Sequence, residues 1–138
     1  MASIPDDLKE FNRSVVADYR AAGGHFSGRM EGRSVLILTT RGRLSGEPRT
    51  VVLAYGREGD RFVIIASNNG APDAPAWYRN LQADAVATVE IEGDRFEARA
   101  STIPQTERDR YAELVPWLRQ QQGLTERQIP LVALDRIR

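Results

Sequence analysis

Arginine, glycine and proline are concentrated in the stretch TTRGRLSGEPRT, Thr39 to Thr50, which follows the apolar run VLILTT. A turn between two strands needs only about two to five residues, so this stretch predicts a wide loop. Its backbone N–H groups, together with Arg41, Arg43 and Arg49, could form a concave cationic site for phosphate or carboxylate. A solvated hairpin whose arginines point into water explains the same residues, and spacing alone leaves both interpretations open.

A second unusual stretch, ASNNGAPDAPAWYRNL from Ala66 to Leu81, leaves an apolar strand and leads into a helix that opens with Trp77 and Tyr78. Loops that lead into helix N-termini hold anions and ring edges through backbone donors. Two such loops could therefore wall one pocket. Packing in the core is the alternative role for Trp77.

Composition excludes several classes of chemistry. The chain has no cysteine and only one histidine, His25, which excludes disulfides, thiolate catalysis and a histidine metal cluster. Its 19 basic and 19 acidic residues give a formal net charge of +0, so the electrostatic footprint of a nucleic-acid-binding protein is missing. We expect a small-molecule ligand, no metal and no nucleic acid.

No segment of the chain predicts export or a membrane span. The N-terminus MASIPDDLKEFNRS is too polar for a signal peptide, and no apolar run approaches the roughly 18 residues of a membrane span. We therefore expect a cytoplasmic protein, with a peripheral membrane contact left open.

The remaining patterns predict the elements that position the two loops. An amphipathic helix is predicted over residues 6–22, with Leu8, Phe11, Val15 and Tyr19 on one face. Another is predicted at APAWYRNLQAD. A third is predicted from Thr106 to Gln122, with Tyr111, Leu114 and Leu118 on one face and a break or kink at Pro116. Strands are predicted at SVLILTT, TVVLAYG, RFVIIAS, VATVEIE, RFEARAST and IPLVALDRI.

Near-continuous apolarity in the first three strands indicates that they are buried on both faces. In VATVEIE and RFEARAST apolar and polar residues alternate on either side of Gly93-Asp94, which predicts a hairpin with one solvent-exposed face. Six or so mostly antiparallel strands, with helices only at the start, the middle and near the end, predict a mainly β protein with helices (α+β) that forms a small barrel. At 138 residues we expect one domain, residues 1–138.

Together, LILTTRGRLSGEPRT and IIASNNGAPDAPAWYRNL resemble the signature of the deazaflavin-dependent nitroreductase family, split β-barrel reductases that use coenzyme F-420. The resemblance runs from FNRSVVADYRAAGG to TERQIPLVALD, nearly the whole chain. It implies an FMN-binding split-barrel-like fold and a reductase that transfers a hydride from the reduced deazaflavin to an enone, activated alkene or nitro compound.

The resemblance also implies the residues of the cofactor site. The first stretch would hold the phosphate and the start of the acidic tail, through Arg43, Leu44, Ser45, Gly46, Pro48 and Arg49. The second would line the deazaflavin ring and the phosphate, through Ala66, Ser67, Asn68, Asn69, Gly70 and Ala71. Trp77, Tyr78 and Asn80 would support the pocket from the following helix.

Three positions depart from the family pattern. Leu44 stands where relatives commonly carry Lys or Arg, and Val52 replaces a frequent proline. Asn69 replaces a glycine, and of the other residues Asn best tolerates the positive φ that a glycine supplies.

No catalytic residue is assigned. For the substrate side the candidates are Tyr55, Ser67, Tyr111 and Trp117, of which only Ser67 falls inside a motif, and core or surface packing is the alternative for Tyr111. Two alternative functions stay open: an FMN-dependent split-barrel oxidase or reductase, and a non-catalytic deazaflavin-binding protein. A homodimer is left open as well.

Overall fold

The computed structural model describes residues 8–26 and 34–138, except for the side chains of residues 8–11 and 69. Its helices are α1 (Leu8–Ala21), α2 (Ala76–Ala83), α3 (Arg108–Ala112) and α4 (Leu118–Gln122). Its strands are β1 (Val35–Arg41), β2 (Pro48–Ala54), β3 (Gly56–Glu58), β4 (Arg61–Ile65), β5 (Val86–Ile91), β6 (Asp94–Thr102) and β7 (Leu131–Arg136).

The strands form one seven-stranded sheet in the order β2-β1-β5-β6-β7-β4-β3, and every pairing is antiparallel. All six predicted strands are present. The seventh, β3, is a short edge strand that the sequence pattern merged with the end of the second predicted strand. The prediction of a mainly β, mostly antiparallel architecture with few helices is confirmed.

The main core lies on one face of the curled sheet, where β1, β4, β5, β6 and β7 pack with Trp77 and Leu81 of α2. A second core lies on the opposite face of β4 and β7, beneath α3 and α4. Val63 and Ile65 of β4 point into this second core, whereas Phe62 and Ile64 point into the main one. Burial on both faces is therefore confirmed for β4.

Strand β1 is also buried on both faces, because Leu36 and Leu38 join the main core while Ile37 packs beneath α1. The same prediction was wrong for β2. Among the described strands β2 lies at the edge, with no neighbour on its outer side, and none of its residues is buried.

Helix α1 covers the outer face of β1 and β2. The first two residues of its predicted range, and the predicted inward side chains Leu8 and Phe11, lie outside the described residues. Tyr19 is buried as predicted, but Val16 rather than Val15 completes the contact with Ile37. The buried face of the helix therefore keeps Tyr19 and includes Val16, whereas Val15 at its edge is only partly buried.

The helix predicted from Thr106 to Gln122 is split into α3 and α4, which confirms the interruption at Pro116. Tyr111 of α3 and Leu118 of α4 are both buried in the second core, and Leu114 packs against it. This face was predicted correctly.

The hairpin between β5 and β6 turns through Glu92 (φ 50°) and Gly93 (φ 81°), which gives the two positive φ values of a type I′ turn. A Cβ at Gly93 would meet only the carbonyl oxygen of Gly23, at 3.8 Å. We therefore expect Gly93→Ala to lower the free energy of unfolding by about 1 kcal/mol through backbone conformation alone. Glu92→Asn should raise it by about 0.5 kcal/mol, because Asn favours positive φ. Urea unfolding measures both, and equal stability of the two variants would contradict the prediction.

Candidate functional site

A crevice of about 1280 Å³ opens between α1, the outer residues of β2, the loop after β1, the loop after β4 and the start of α2. Nine of the residues predicted to bind the cofactor line it: Arg43, Leu44, Ser45, Pro48, Arg49, Ser67, Asn68, Trp77 and Asn80. The two unusual stretches of the sequence therefore wall one cavity.

The first loop, residues 42–47, joins β1 to β2 and is closed by its own backbone. Gly42 donates to the carbonyl of Glu47 and Gly46 donates to that of Gly42, both at 2.8 Å. The hydroxyl of Ser45 accepts the backbone N–H of Glu47 at 3.1 Å and the Arg49 guanidinium at 3.3 Å. This loop has a defined shape and holds Arg49 against itself, as the prediction of a wide, structured loop requires.

Asn80 of α2 connects the first loop to the helix. Its Oδ1 accepts the backbone N–H of Arg43 at 3.1 Å and the Arg43 guanidinium at 3.3 Å, while its Nδ2 donates to the Thr40 hydroxyl at 3.0 Å. Asn80 and Thr40 are each only 2% exposed, so these bonds are shielded from water. Because the side chain satisfies both partners, it fixes the direction in which Arg43 enters the crevice.

The second loop, residues 66–75, runs from β4 to α2. It contains a single 3-10 turn at Asn68–Gly70, with Asn68 at φ 47° and Gly70 at φ 82°. Because Asn69 stands where relatives have a glycine, a positive φ was expected at this residue. The structure places the left-handed asparagine one residue earlier, at Asn68, whose Nδ2 donates to the carbonyl of Asp73 at 3.0 Å.

One wall of the crevice is apolar. Val51 and Leu53 of β2, Ile65 of β4 and Trp77 of α2 contribute to it. Trp77 is 5% exposed and belongs to the main core as well, with its ring edge-on to Tyr78 at 6.2 Å between centroids. Trp77 therefore packs in the core, as one interpretation predicted, and it also lines the crevice.

Several predicted site residues do not line the crevice. Gly46, Ala66, Gly70, Ala71 and Tyr78 belong to the same segments without forming its wall, and the side chain of Asn69 lies outside what the structure describes. Ala66 is fully buried behind the loop, and the Tyr78 hydroxyl lies 3.0 Å from that of Thr102. In this structure these residues shape the backbone of the loops and pack α2 against its neighbours.

The structure does not bring Tyr55 or Tyr111 to the crevice. Tyr55 packs edge-on against Phe62 beside the main core, and burial raises the pKa of its hydroxyl. Tyr111 is 3% exposed in the second core and its hydroxyl contacts Arg61 and Glu58. Trp117 also packs against that second core. Of the substrate-side candidates only Ser67 lines the crevice.

Sequence reasoning missed the contribution of α1. Asn12, Arg13, Val16, Ala17 and Arg20 line the crevice, at spacings that define one helical face. The sequence does show this face, because Arg13 and Arg20 lie next to the apolar face of the helix that was predicted to point inward.

Arg20 forms a bidentate ion pair with Glu90 of β5, at 2.7 and 3.1 Å. The Glu90 side chain is only 7% exposed, and the hydrogen bond from Arg20 raises the pKa of that guanidinium. Arg20 is therefore fixed and charged at the crevice wall. The Glu90 carboxylate balances its charge. Arg13, Arg43 and Arg49 also line the crevice, and none of the described lining residues is acidic, which suits an anionic ligand.

Among the described residues no group of three or more acidic or histidine side chains is placed to hold a metal ion. No helix within residues 8–26 or 34–138 is long and apolar enough to cross a membrane.

Comparison with known proteins identifies relatives over most of the chain. Residues 11–136 match the family model described as "F420H(2)-dependent quinone reductase". The F420H(2)-dependent quinone reductase Rv1261c of Mycobacterium tuberculosis is 34% identical over 129 residues, which cover 87% of this chain and 86% of the relative.

Solved structures agree with the fold. An F420-H2 dependent reductase, FDR-A, superposes with a TM-score of 0.66 at 28% identity, over 75% of this chain and 95% of its own. A structure described as a domain-swapped dimer superposes with a TM-score of 0.69 at 25% identity, over 96% and 100% of the two chains. The predicted split-barrel-like architecture is confirmed by these matches.

Proposed function

The chain belongs to the F420H(2)-dependent quinone reductase family, and from this premise we propose that its crevice holds coenzyme F-420 beside an electron-poor acceptor. The family resemblance drawn from the two loops is confirmed, and the protein is an oxidoreductase whose cofactor is F-420. The alternatives of an FMN enzyme and of a non-catalytic binder are not favoured by this membership. The acceptors we propose are a quinone, an enone, an activated alkene or a nitro compound.

The observation that carries the proposal is the convergence of both loops on one crevice that is cationic at the first loop and apolar along β2 and α2. Small-ligand pockets are typically about 300–1,000 Å³. A crevice of about 1280 Å³ has room for an anionic cofactor and an acceptor side by side.

The first loop fits the phosphate and acidic tail of the cofactor. Arg43 and Arg49 both line the crevice, and each is held by a neighbour, Asn80 for Arg43 and Ser45 for Arg49. Guanidinium groups fixed in this way lose less rotational freedom when they bind an oxyanion. We assign these two residues to the anionic part of the ligand.

The second loop and the apolar wall fit a flat ring system. Ser67 and Asn68 bring backbone and side-chain polar groups to one side of the crevice, while Val51, Leu53 and Trp77 provide apolar surface. When bound, the reduced deazaflavin supplies a hydride and reacts poorly with oxygen. The protein's part is to orient the ring and the acceptor within reach of each other and to exclude water.

The acceptor must also gain a proton, since a quinone that receives a hydride becomes the quinol only after protonation. Ser67 is the predicted substrate-side hydroxyl that lines the crevice. We assign it the role of orienting the acceptor and passing a proton from solvent, because a hydroxyl both donates and accepts hydrogen bonds.

Assembly and location form the second part of the proposal. Because one structural relative is described as a domain-swapped dimer, we propose a homodimer for this protein too. We also propose that residues 1–138 form one reductase domain, supported by the single sheet from β1 to β7, and that the enzyme acts in the cytoplasm.

Substitutions at Leu44 test whether the acidic tail of F-420 lies beside the first loop. Its side chain is 90% exposed at the crevice mouth, so replacing it costs no core packing. We expect Leu44→Lys to tighten F-420 binding by about twofold to fivefold at low salt, the range for an exposed ion pair. Leu44→Gln is the uncharged control, and titrations at two salt concentrations separate charge from shape. Equal affinity of the two variants would place the tail away from Leu44.

The proposed function is tested first by fluorescence titration of the purified protein with oxidised F-420 and, in parallel, with FMN. Saturable F-420 binding at micromolar or lower concentration, with FMN much weaker, is the expected result. Oxidation of reduced F-420 by a soluble naphthoquinone is then followed by absorbance. Tight FMN binding, or F-420 binding without turnover of any quinone, enone or nitro compound, would overturn the proposal.

A further inference from the structure

We propose that Arg127 is the positioning residue of the second loop, holding its peptide groups in the orientation that faces the cofactor. The proposal deepens the proposed function and rests on it. Arg127 does not line the crevice, and neither the loop signatures nor the family assignment gives it a role. It lies between α4 and β7, behind the loop.

The contacts of Arg127 are the first observation. Its guanidinium donates to the carbonyl oxygens of Ser67 at 2.7 Å, Ala71 at 3.0 Å, Ala66 at 3.3 Å and Asp73 at 3.4 Å. All these acceptors are main-chain atoms of the second loop. One side chain therefore binds four peptide groups of the same loop.

The orientation of those peptide groups is the second observation. The described chain contains no cis peptide, and in a trans peptide the C=O and the following N–H point in opposite directions. Because Arg127 draws the carbonyls of Ala66 and Ser67 to its own side, the N–H groups of Ser67 and Asn68 are turned away from it. Ser67 and Asn68 both line the crevice, so these N–H groups belong to residues of its wall.

The backbone of the second loop adopts a conformation that must be held by contacts from outside the loop. Asn68 has a φ of 47°, a conformation that residues other than glycine adopt at a cost. The described backbone bonds of the loop include one to the neighbouring strand region, from Ala66 to the Pro130 carbonyl at 2.9 Å, and local bonds within the 3-10 turn. Arg127 supplies tertiary hydrogen bonds across the rest of the loop, while Leu124 packs beside Gly70.

Arg127 is itself held in place. The Gln122 side-chain amide donates to the carbonyl of Arg127 at 2.7 Å and accepts the N–H of Ile129 at 3.0 Å. The N–H of Arg127 donates to the Thr125 hydroxyl at 3.3 Å. A guanidinium anchored through its own backbone can fix the loop, because its planar donors have little freedom left.

The test compares R127M and R127K with the wild type, using R119K on the exposed surface of α4 as the matched control. We expect R127M to raise the Kd for F-420 about tenfold or more, because the charge-assisted hydrogen bonds that hold the loop in its binding orientation are lost. In the ligand-free protein, amide exchange of Gly70 and Ala71 should accelerate by a similar factor, while exchange in β4 stays unchanged. R127K should fall between R127M and the wild type, because an ammonium group cannot span four carbonyls.

Three outcomes decide the matter. Unchanged exchange and unchanged Kd in R127M would overturn the proposal, and so would equal acceleration in the loop and in β4, which indicates a general role in the fold. If R127M does not fold, R127K against R119K makes the same comparison. If the wild type binds no F-420, the proposed function fails, whereas exchange in the ligand-free variants still tests whether Arg127 orders the loop.

Discussion

Asn80→Ala is expected to lower the free energy of unfolding by about 2–3 kcal/mol, because it removes every bond of a buried amide and leaves Thr40 without its donor. The side chain makes three hydrogen bonds in the structure, two to Arg43 and one to Thr40. Since Arg43 then loses its orientation, affinity for F-420 should fall as well. Denaturant unfolding and fluorescence titration measure the two effects.

Two variants give this prediction its controls. Gln82→Ala removes an exposed amide from the same helix and should leave both stability and affinity unchanged. Asn80→Asp retains the oxygen that accepts from Arg43 and should preserve cofactor affinity better than Asn80→Ala. If Asn80→Ala is as stable as Gln82→Ala and binds F-420 equally well, Asn80 does not connect the helix to the loop in solution.

Arg49→Ala is expected to weaken F-420 binding by about 1.5–3 kcal/mol, or roughly tenfold to a hundredfold in Kd, because it removes a charge-assisted contact to the anionic part of the ligand. Arg49 is exposed at the crevice and fixed to the Ser45 hydroxyl. It makes no core contact, so stability should change little. Titration at fixed ionic strength is the measurement.

Arg41→Ala provides the comparison for Arg49. Arg41 is exposed on the same hairpin, at the register position opposite Pro48, but does not line the crevice. The two variants remove the same charge from the protein, so a long-range electrostatic effect would weaken binding in both. An unchanged Kd in Arg49→Ala would mean that this arginine points into water and that the first loop is only a solvated hairpin.

Local patterns predicted most of the fold. The β-branched runs became strands, and Pro116 interrupted the third helical segment. The predicted hairpin formed, with its turn at Glu92-Gly93, one residue before the predicted Gly93-Asp94. These features depend on residues near each other in sequence, where turn chemistry and side-chain period act directly. The errors arose where burial depends on residues that are distant in the sequence. Strand β2 is half-exposed because it lies at the edge of the sheet, and its composition does not reveal that position.

The sequence predicted which two segments form the site, but not how their side chains are arranged in three dimensions. The first and second loops were singled out by their residue types, and the structure brings both to one crevice. Tyr111 was considered for the substrate side because the family resemblance implies that aromatic residues of the helix before the last strand close that side. It packs instead beneath α3, since helical spacing places it on the face that meets β7.

The sequence by itself determined the class of protein: strands, turns and the residues of two loops are local properties, and their joint pattern identified the family and its cofactor. Only the tertiary structure decided which side chains hold those loops. Asn80 reaches Arg43 across 37 positions and Arg127 reaches Ser67 across 60. Such bonds depend on how the sheet curls and where α1, α2 and α4 pack on it, and no periodicity in the sequence encodes that geometry.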